Sequence, residues 1–158
     1  MAGLIRAGTF GHFLAVTRTS GMSTVEEGDK PMIVRSVQEV AGTDLDVRGE
    51  GWRATRLFVR DDGLGFSLSE TTVDGGAEMN VWYKHHDEAC FVIDGEAELT
   101  ERDTGAVHRI GPGSAYAPQH DRHTIRVLSP LRLVCVFNPA LTGQEKHDAD
   151  GSYLPADG

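Results

Sequence analysis

The two stretches that decide the fold are Lys84–Gly95, KHHDEACFVIDG, and Gly105–Tyr116, GAVHRIGPGSAY. The first crowds a lysine, two histidines and two acids together, then enters an apolar run that Asp94-Gly95 closes. The second spaces Gly105, Gly111-Pro112-Gly113 and Tyr116 as a glycine-anchored block. Histidines and carboxylates are common metal ligands, so the first block reads as a candidate metal site without saying which side chain binds. Outward from these blocks the chain keeps one rhythm, short apolar runs between turn residues. Strands are expected at Met32–Ser36, Arg56–Arg60, Phe66–Val73, Met79–Tyr83, Ala89–Ile93, Ala97–Thr100, Val107–Ile110, Thr124–Val127 and Leu131–Phe137. Turn signals at Asp61-Asp62-Gly63, Asp74-Gly75-Gly76, Asp94-Gly95, Asp103-Thr104-Gly105 and Gly111-Pro112-Gly113 separate them. Ser36 and Glu39 have capping-box spacing, which predicts one short helix after the first strand. Many short strands with glycine-rich turns predict an all-β sandwich or barrel rather than a parallel α/β sheet.

Composition sets the outer bounds. The chain has 158 residues, 39% of them hydrophobic and 25% charged, enough for one domain with its own core. A formal charge of −9 at pH 7 argues against nucleic-acid binding, which needs a basic surface. No apolar run is long enough to span a membrane. The patch FGHFLAV near the N-terminus is interrupted by His12 and does not read as a signal peptide. Residues 1–31 are polar, carry Gly and Pro and lack periodicity, so a disordered extension is expected there, with the folded domain over 32–158. Cys90 and Cys135 read as small buried thiols in a reducing cytoplasm.

The two glycine-anchored blocks resemble those of the cupin superfamily, jelly-roll β-barrels that hold a metal inside. The family's two first-block histidine positions fall on Trp82 and Lys84, its glutamate on Glu88 and its second-block histidine on Tyr116, so only the glutamate is retained. MIVRS at Met32, DDGLGFSLSETT at Asp61, WYKHHDEA at Trp82, HDRH at His120 and RLVCVFNPALTGQEKHDADGSY at Arg132 together resemble ectoine synthase, from about Met32 to Pro155. The resemblance implies a carbon–oxygen lyase that closes N-γ-acetyl-L-2,4-diaminobutyrate on itself to ectoine with loss of water. It implies Fe(II), with manganese or zinc also compatible, held by Glu88, Tyr116 and His123. It further implies Tyr83, Glu145 and His147 as proton-transfer residues, with Arg56 pairing the substrate carboxylate. Trp52, Ser69, Thr71, His86, Cys135 and Phe137 are then pocket residues. A head-to-tail homodimer is implied as well.

Bland readings stand beside these. Without the family pattern Glu88 is a surface carboxylate, Tyr116 a rim tyrosine and Trp52 plain core. Lys84, His85 and Asp87 are expected at solvent or a subunit interface. The chain also departs from the family pattern. It is one residue shorter between Tyr116 and His123, Asn80 stands where a histidine is common, and Ser69 replaces an asparagine. Two alternatives follow: a diverged relative that uses another diamino acid or hydrolyses the ring, and a non-catalytic cupin that binds a small polar solute.

Overall fold

The computed structural model describes residues 31–155. The expected disordered extension over 1–31 lies, except for Pro31, outside them. The residues from Val34 onward form one compact unit.

The capping box forms as its spacing predicts. The Ser36 hydroxyl accepts from the Glu39 amide, and the Glu39 carboxylate accepts from the Ser36 amide, starting helix α1, Val37–Val40. The preceding Met32–Ser36 is not a strand, contrary to expectation. No strand pairs with it; instead Arg35 forks onto both oxygens of Asp62 at 2.7 and 2.6 Å and donates to the Leu57 carbonyl. That anchor holds the entry segment without a backbone ladder.

Eight strands follow: β1 (Asp46–Gly49), β2 (Trp52–Phe58), β3 (Ser67–Val73), β4 (Glu78–Val81), β5 (Asp87–Glu101), β6 (Val107–Ile110), β7 (Ala115–Tyr116) and β8 (His123–Asn138). All pairings are antiparallel and run in the order β1-β2-β3-β8-β5-β6, with β4 beside β8 and β7 beside β5. β1 and β7 are additions to the expected set. The path is not closed edge to edge, so the architecture is a jelly-roll type fold with open edges at β1 and β6.

Two expected breaks are absent. Ala89–Ile93 and Ala97–Thr100 belong to one strand, and so do Thr124–Val127 and Leu131–Phe137. The reason is that β5 and β8 run side by side through the bend, so the ladder resumes after each irregularity at Asp94 and Glu96. Gly95 makes the bend. Its φ is +84°, and a Cβ there would lie 2.1 Å from the Pro130 carbonyl oxygen, so no side chain fits. The bend divides each long strand in two. The C-terminal part of β8 pairs with β3 and early β5, and its N-terminal part pairs with β4 and late β5. Inward residues of both parts, including Val73, Val92, Leu99, Ile125, Val127 and Leu133, join in one core.

Candidate active site

Strand alternation places the candidate residues on the inner face. Arg56 of β2, Ser69 of β3, Cys135 of β8, Cys90 of β5 and Tyr116 of β7 are cross-strand partners in a single row. One step along, Ser67, Phe137 and Glu88 form the next row. Of these, Arg56, Ser69, Cys135, Tyr116, Phe137 and Glu88 line a cavity of about 50 Å³. Apart from His86, His123 and Glu145, every residue expected at the site lines it.

The far wall comes from the irregular segment after β8. The Tyr83 hydroxyl and His147 Nε2 are 2.8 Å apart. Burial, then the positive Arg56, lowers His147 to about 4, so it is neutral near pH 7. Burial raises Tyr83 well above the ordinary tyrosine value, with Tyr153 and Glu88 adding to the shift, so it stays protonated. Tyr153 was not anticipated. Its ring stacks on His147 at 4.6 Å and lies 4.9 Å from that of Tyr83, and burial raises it to about 12. No local pattern in the sequence marks it, because it arrives from a stretch without regular structure.

Arg56 and Glu145 form the other contact of this wall. Arg56 is fully buried; it donates to Glu145 Oε2 at 3.1 Å and to the Glu145 backbone carbonyl at 2.6 Å. Glu145 also accepts from the amide and hydroxyl of Thr142 and the amide of Gly143. Although burial opposes it, these hydrogen bonds lower the Glu145 pKa. Such a saturated, ionised carboxylate anchors the segment to β2 and is a poor proton acceptor. His86 is buried edge-on to Phe137 and Tyr153, with both ring nitrogens unpartnered. The Ser67 and Ser69 hydroxyls are likewise buried without partners.

At the opposite end lie the expected metal ligands. Burial raises the Glu88 carboxyl to about 7, partly offset by the Cys90 thiol, which donates to it at 3.3 Å. Burial, then Cys90 and Glu88, raises Tyr116 well above its ordinary value. Among the described residues lining the cavity, Arg56 is the one formally cationic side chain, and it is engaged by Glu145. His123 is buried, its Nδ1 lies 3.2 Å from the Asp121 carbonyl, and its Nε2 has no partner. The carbonyl requires the proton on Nδ1, which leaves the Nε2 lone pair free, the arrangement of a metal-ready imidazole. Glu88 and Tyr116 give this end of the cavity oxygen donors of the kind a divalent cation takes, but the structure does not gather His123 with Glu88. His123 sits on the far side of Tyr116, with ring centroids 6.4 Å apart, in a second cavity of about 590 Å³ that Tyr116 also lines. Glu88, Cys90 and Cys135 are the ligand-type groups gathered within 4.8 Å of one another. Cys90 could have been found in sequence, since it lies two positions after Glu88 and shares its face.

The shortened segment between Tyr116 and His123 closes through two successive left-handed residues, Gln119 at φ +53° and His120 at +66°. Such backbone costs about 1–3 kcal/mol per residue unless the surroundings hold it. They do: the Trp82 indole donates to the His120 carbonyl, His120 Nδ1 meets the Tyr83 carbonyl, and its Nε2 meets Asp87. Lys84 pairs with Asp150 and lies over the Trp82 ring, and His85 is exposed, so neither enters the cavity.

The rolled antiparallel sheet with an inward cluster of donors defines a cupin. A chain described as an RmlC-like cupin from Shewanella frigidimarina superposes with a TM-score of 0.50 at 21% identity, covering 60% of this chain and 82% of that one, a likeness of fold alone. Within that class the chain belongs to the ectoine synthase family, whose profile matches residues 32–157. It is 49% identical over 124 residues to the L-ectoine synthase of Desulfosudis oleivorans, covering 77% of this chain and 96% of the relative. The crystal structure of ectoine synthase from P. lautus superposes with a TM-score of 0.68 at 42% identity, covering 71% of this chain and 81% of that chain.

Proposed function

We propose that the protein closes N-γ-acetyl-L-2,4-diaminobutyrate to ectoine inside this cavity, as a metal-dependent cytoplasmic enzyme working as a head-to-tail homodimer. The observation that carries the reading is 49% identity spanning 96% of an L-ectoine synthase. Among the described residues no helix is long and apolar enough to cross a membrane.

In the reaction the α-amine nitrogen bonds to the acetyl carbon, that carbon's bond to oxygen breaks, and the oxygen leaves as water with two protons from the ammonium. A ferrous ion, or manganese or zinc, held by Glu88, Tyr116 and His123 would supply Lewis-acid polarisation of the acetyl carbonyl. The chain's own groups do the rest. Trp52, Thr71 and Phe137 line the cavity, whose walls must part beyond its volume of about 50 Å³ to admit the substrate. They would then hold it folded so that amine and carbonyl meet, which can remove several kcal/mol of the barrier. The unpartnered Ser69 hydroxyl offers a hydrogen bond to the substrate. Arg56 gives the substrate carboxylate a positive wall while remaining tied to Glu145. Tyr83, held protonated, donates toward the departing oxygen, and neutral His147 on its hydroxyl accepts or returns that proton. Glu145, with its acceptor positions filled, fits the role of anchor better than that of base.

The test is iron-loaded protein given the acetylated diaminobutyrate, with ectoine and free substrate followed by NMR. Stoichiometric ectoine is expected. Iron bound in full with no ectoine formed overturns the proposal and favours a solute-binding cupin or a different diamino acid. The reverse reaction is scored in the same assay by supplying ectoine.

A further inference from the structure

Resting on the metal reading above, we propose that Cys90 is a further ligand of the same ion, so that the centre combines a thiolate with the Glu88 carboxylate and the Tyr116 phenolate.

Four observations converge on this cysteine. Cys90 shares the inner face of β5 with Glu88, two residues away, and its Sγ lies 3.3 Å from Glu88 Oε1. One ion bound at about 2.3 Å from sulfur and about 2.1 Å from oxygen at a tetrahedral angle holds those atoms about 3.6 Å apart, so the observed spacing needs only a small adjustment. Cys90 is also the cross-strand partner of Tyr116. Finally, the ligand atoms of Glu88, Cys90 and Cys135 gather within 4.8 Å, with no lysine among the described residues lining the cavity and Arg56 already paired. A cation is what such a cluster of acids lacks.

The second thiol has a different part. Cys90 and Cys135 Sγ are 2.9 Å apart, closer than the roughly 3.7 Å that two thiolates on one tetrahedral ion require. Cys135 is therefore assigned as the neighbour that donates its S–H to the Cys90 thiolate, leaving its own side chain at the cavity wall. A sulfur ligand makes the site softer than an all-oxygen and imidazole set, which favours zinc, iron or cobalt over manganese and magnesium.

The full chain, stripped with chelator and reloaded with one equivalent of cobalt(II) without oxygen, reports the ligand directly. Expected are one cobalt per chain and a sulfur-to-cobalt charge-transfer band in the near ultraviolet. The band should vanish in Cys90→Ser with cobalt still bound, and persist in Cys135→Ser. X-ray absorption on zinc-loaded wild-type protein should show sulfur scattering at about 2.3 Å, a result that does not depend on any variant folding. Cobalt bound without the band, a band that survives Cys90→Ser, or zinc without sulfur scattering each overturns the thiolate ligand while leaving Glu88, Tyr116 and His123 intact. Failure to bind any cobalt or zinc overturns both.

Discussion

Replacing Glu145 with alanine tests how the segment after β8 is held against the sheet. The side chains of Arg56 and Glu145 are 1% and 8% exposed, so the substitution strands a guanidinium inside the protein. Breaking a buried pair from one side costs about 3–5 kcal/mol. The guanidinium keeps its bond to the residue-145 carbonyl and its position 5.6 Å from the Tyr153 ring, which moves the expectation to the lower end. Thr142, half-buried, and Gly143, buried, also lose acceptors, which adds about 1 kcal/mol. The net expectation is about 3 kcal/mol, or a melting temperature lower by roughly 10 °C for a domain of this size. Urea unfolding of the metal-free protein measures it. The sharper readout is the cycle with Arg56→Met, because an apolar replacement of both partners is often neutral. The double variant should be more stable than Glu145→Ala alone, with a coupling of at least about 1 kcal/mol. Strict additivity, with each single change below about 1 kcal/mol, would refute the buried-pair account.

Other outcomes follow from the same structure. His147 at about 4 binds fewer protons folded than unfolded, where it titrates near 6.5, so stability falls as pH drops from about 6.5 to 4. The histidine contributes up to about 3 kcal/mol to that slope, and His147→Gln should flatten it in melts taken across this range. Gly95→Ala should cost at least about 2 kcal/mol and lower soluble yield, since a Cβ cannot coexist with the Pro130 carbonyl; a melting point unchanged from wild type would contradict the bend as described. Glu88→Ala should lose bound iron while folding normally, measured by elemental analysis beside circular dichroism; unchanged iron content removes Glu88 from the ligand set. Tyr83→Phe should lower kcat by about 10²–10⁴ with little change in KM, because the deleted proton serves the reaction rather than binding.

The β class, the capping box and the edges of β6 were legible in the residues because each depends on local rules: alternation, turn chemistry and side-chain caps. Expected breaks at Asp94-Gly95 and between Val127 and Leu131 were wrong for a non-local reason. A glycine or proline cluster looks like a turn until a neighbouring strand runs alongside and continues the ladder past it. The same limit applied at the site. Glu88 could be chosen from the glycine spacing and the family pattern, yet nothing near it in sequence announces that Cys135, 45 positions beyond Cys90, faces that cysteine across the sheet. Of the two histidines in the opening stretch, His85 is exposed, as expected, while His86 is buried; His123 comes from another strand. Tyr153 and the Arg56–Glu145 pair were set by tertiary structure alone. They join residues 89 positions apart or come from a segment with no periodicity, and only the rolled sheet brings them within hydrogen-bonding and stacking distance. Sequence determined which faces are apolar and which residue types are available; register between distant strands decided which of them meet, because that register sums pairings along the whole sheet.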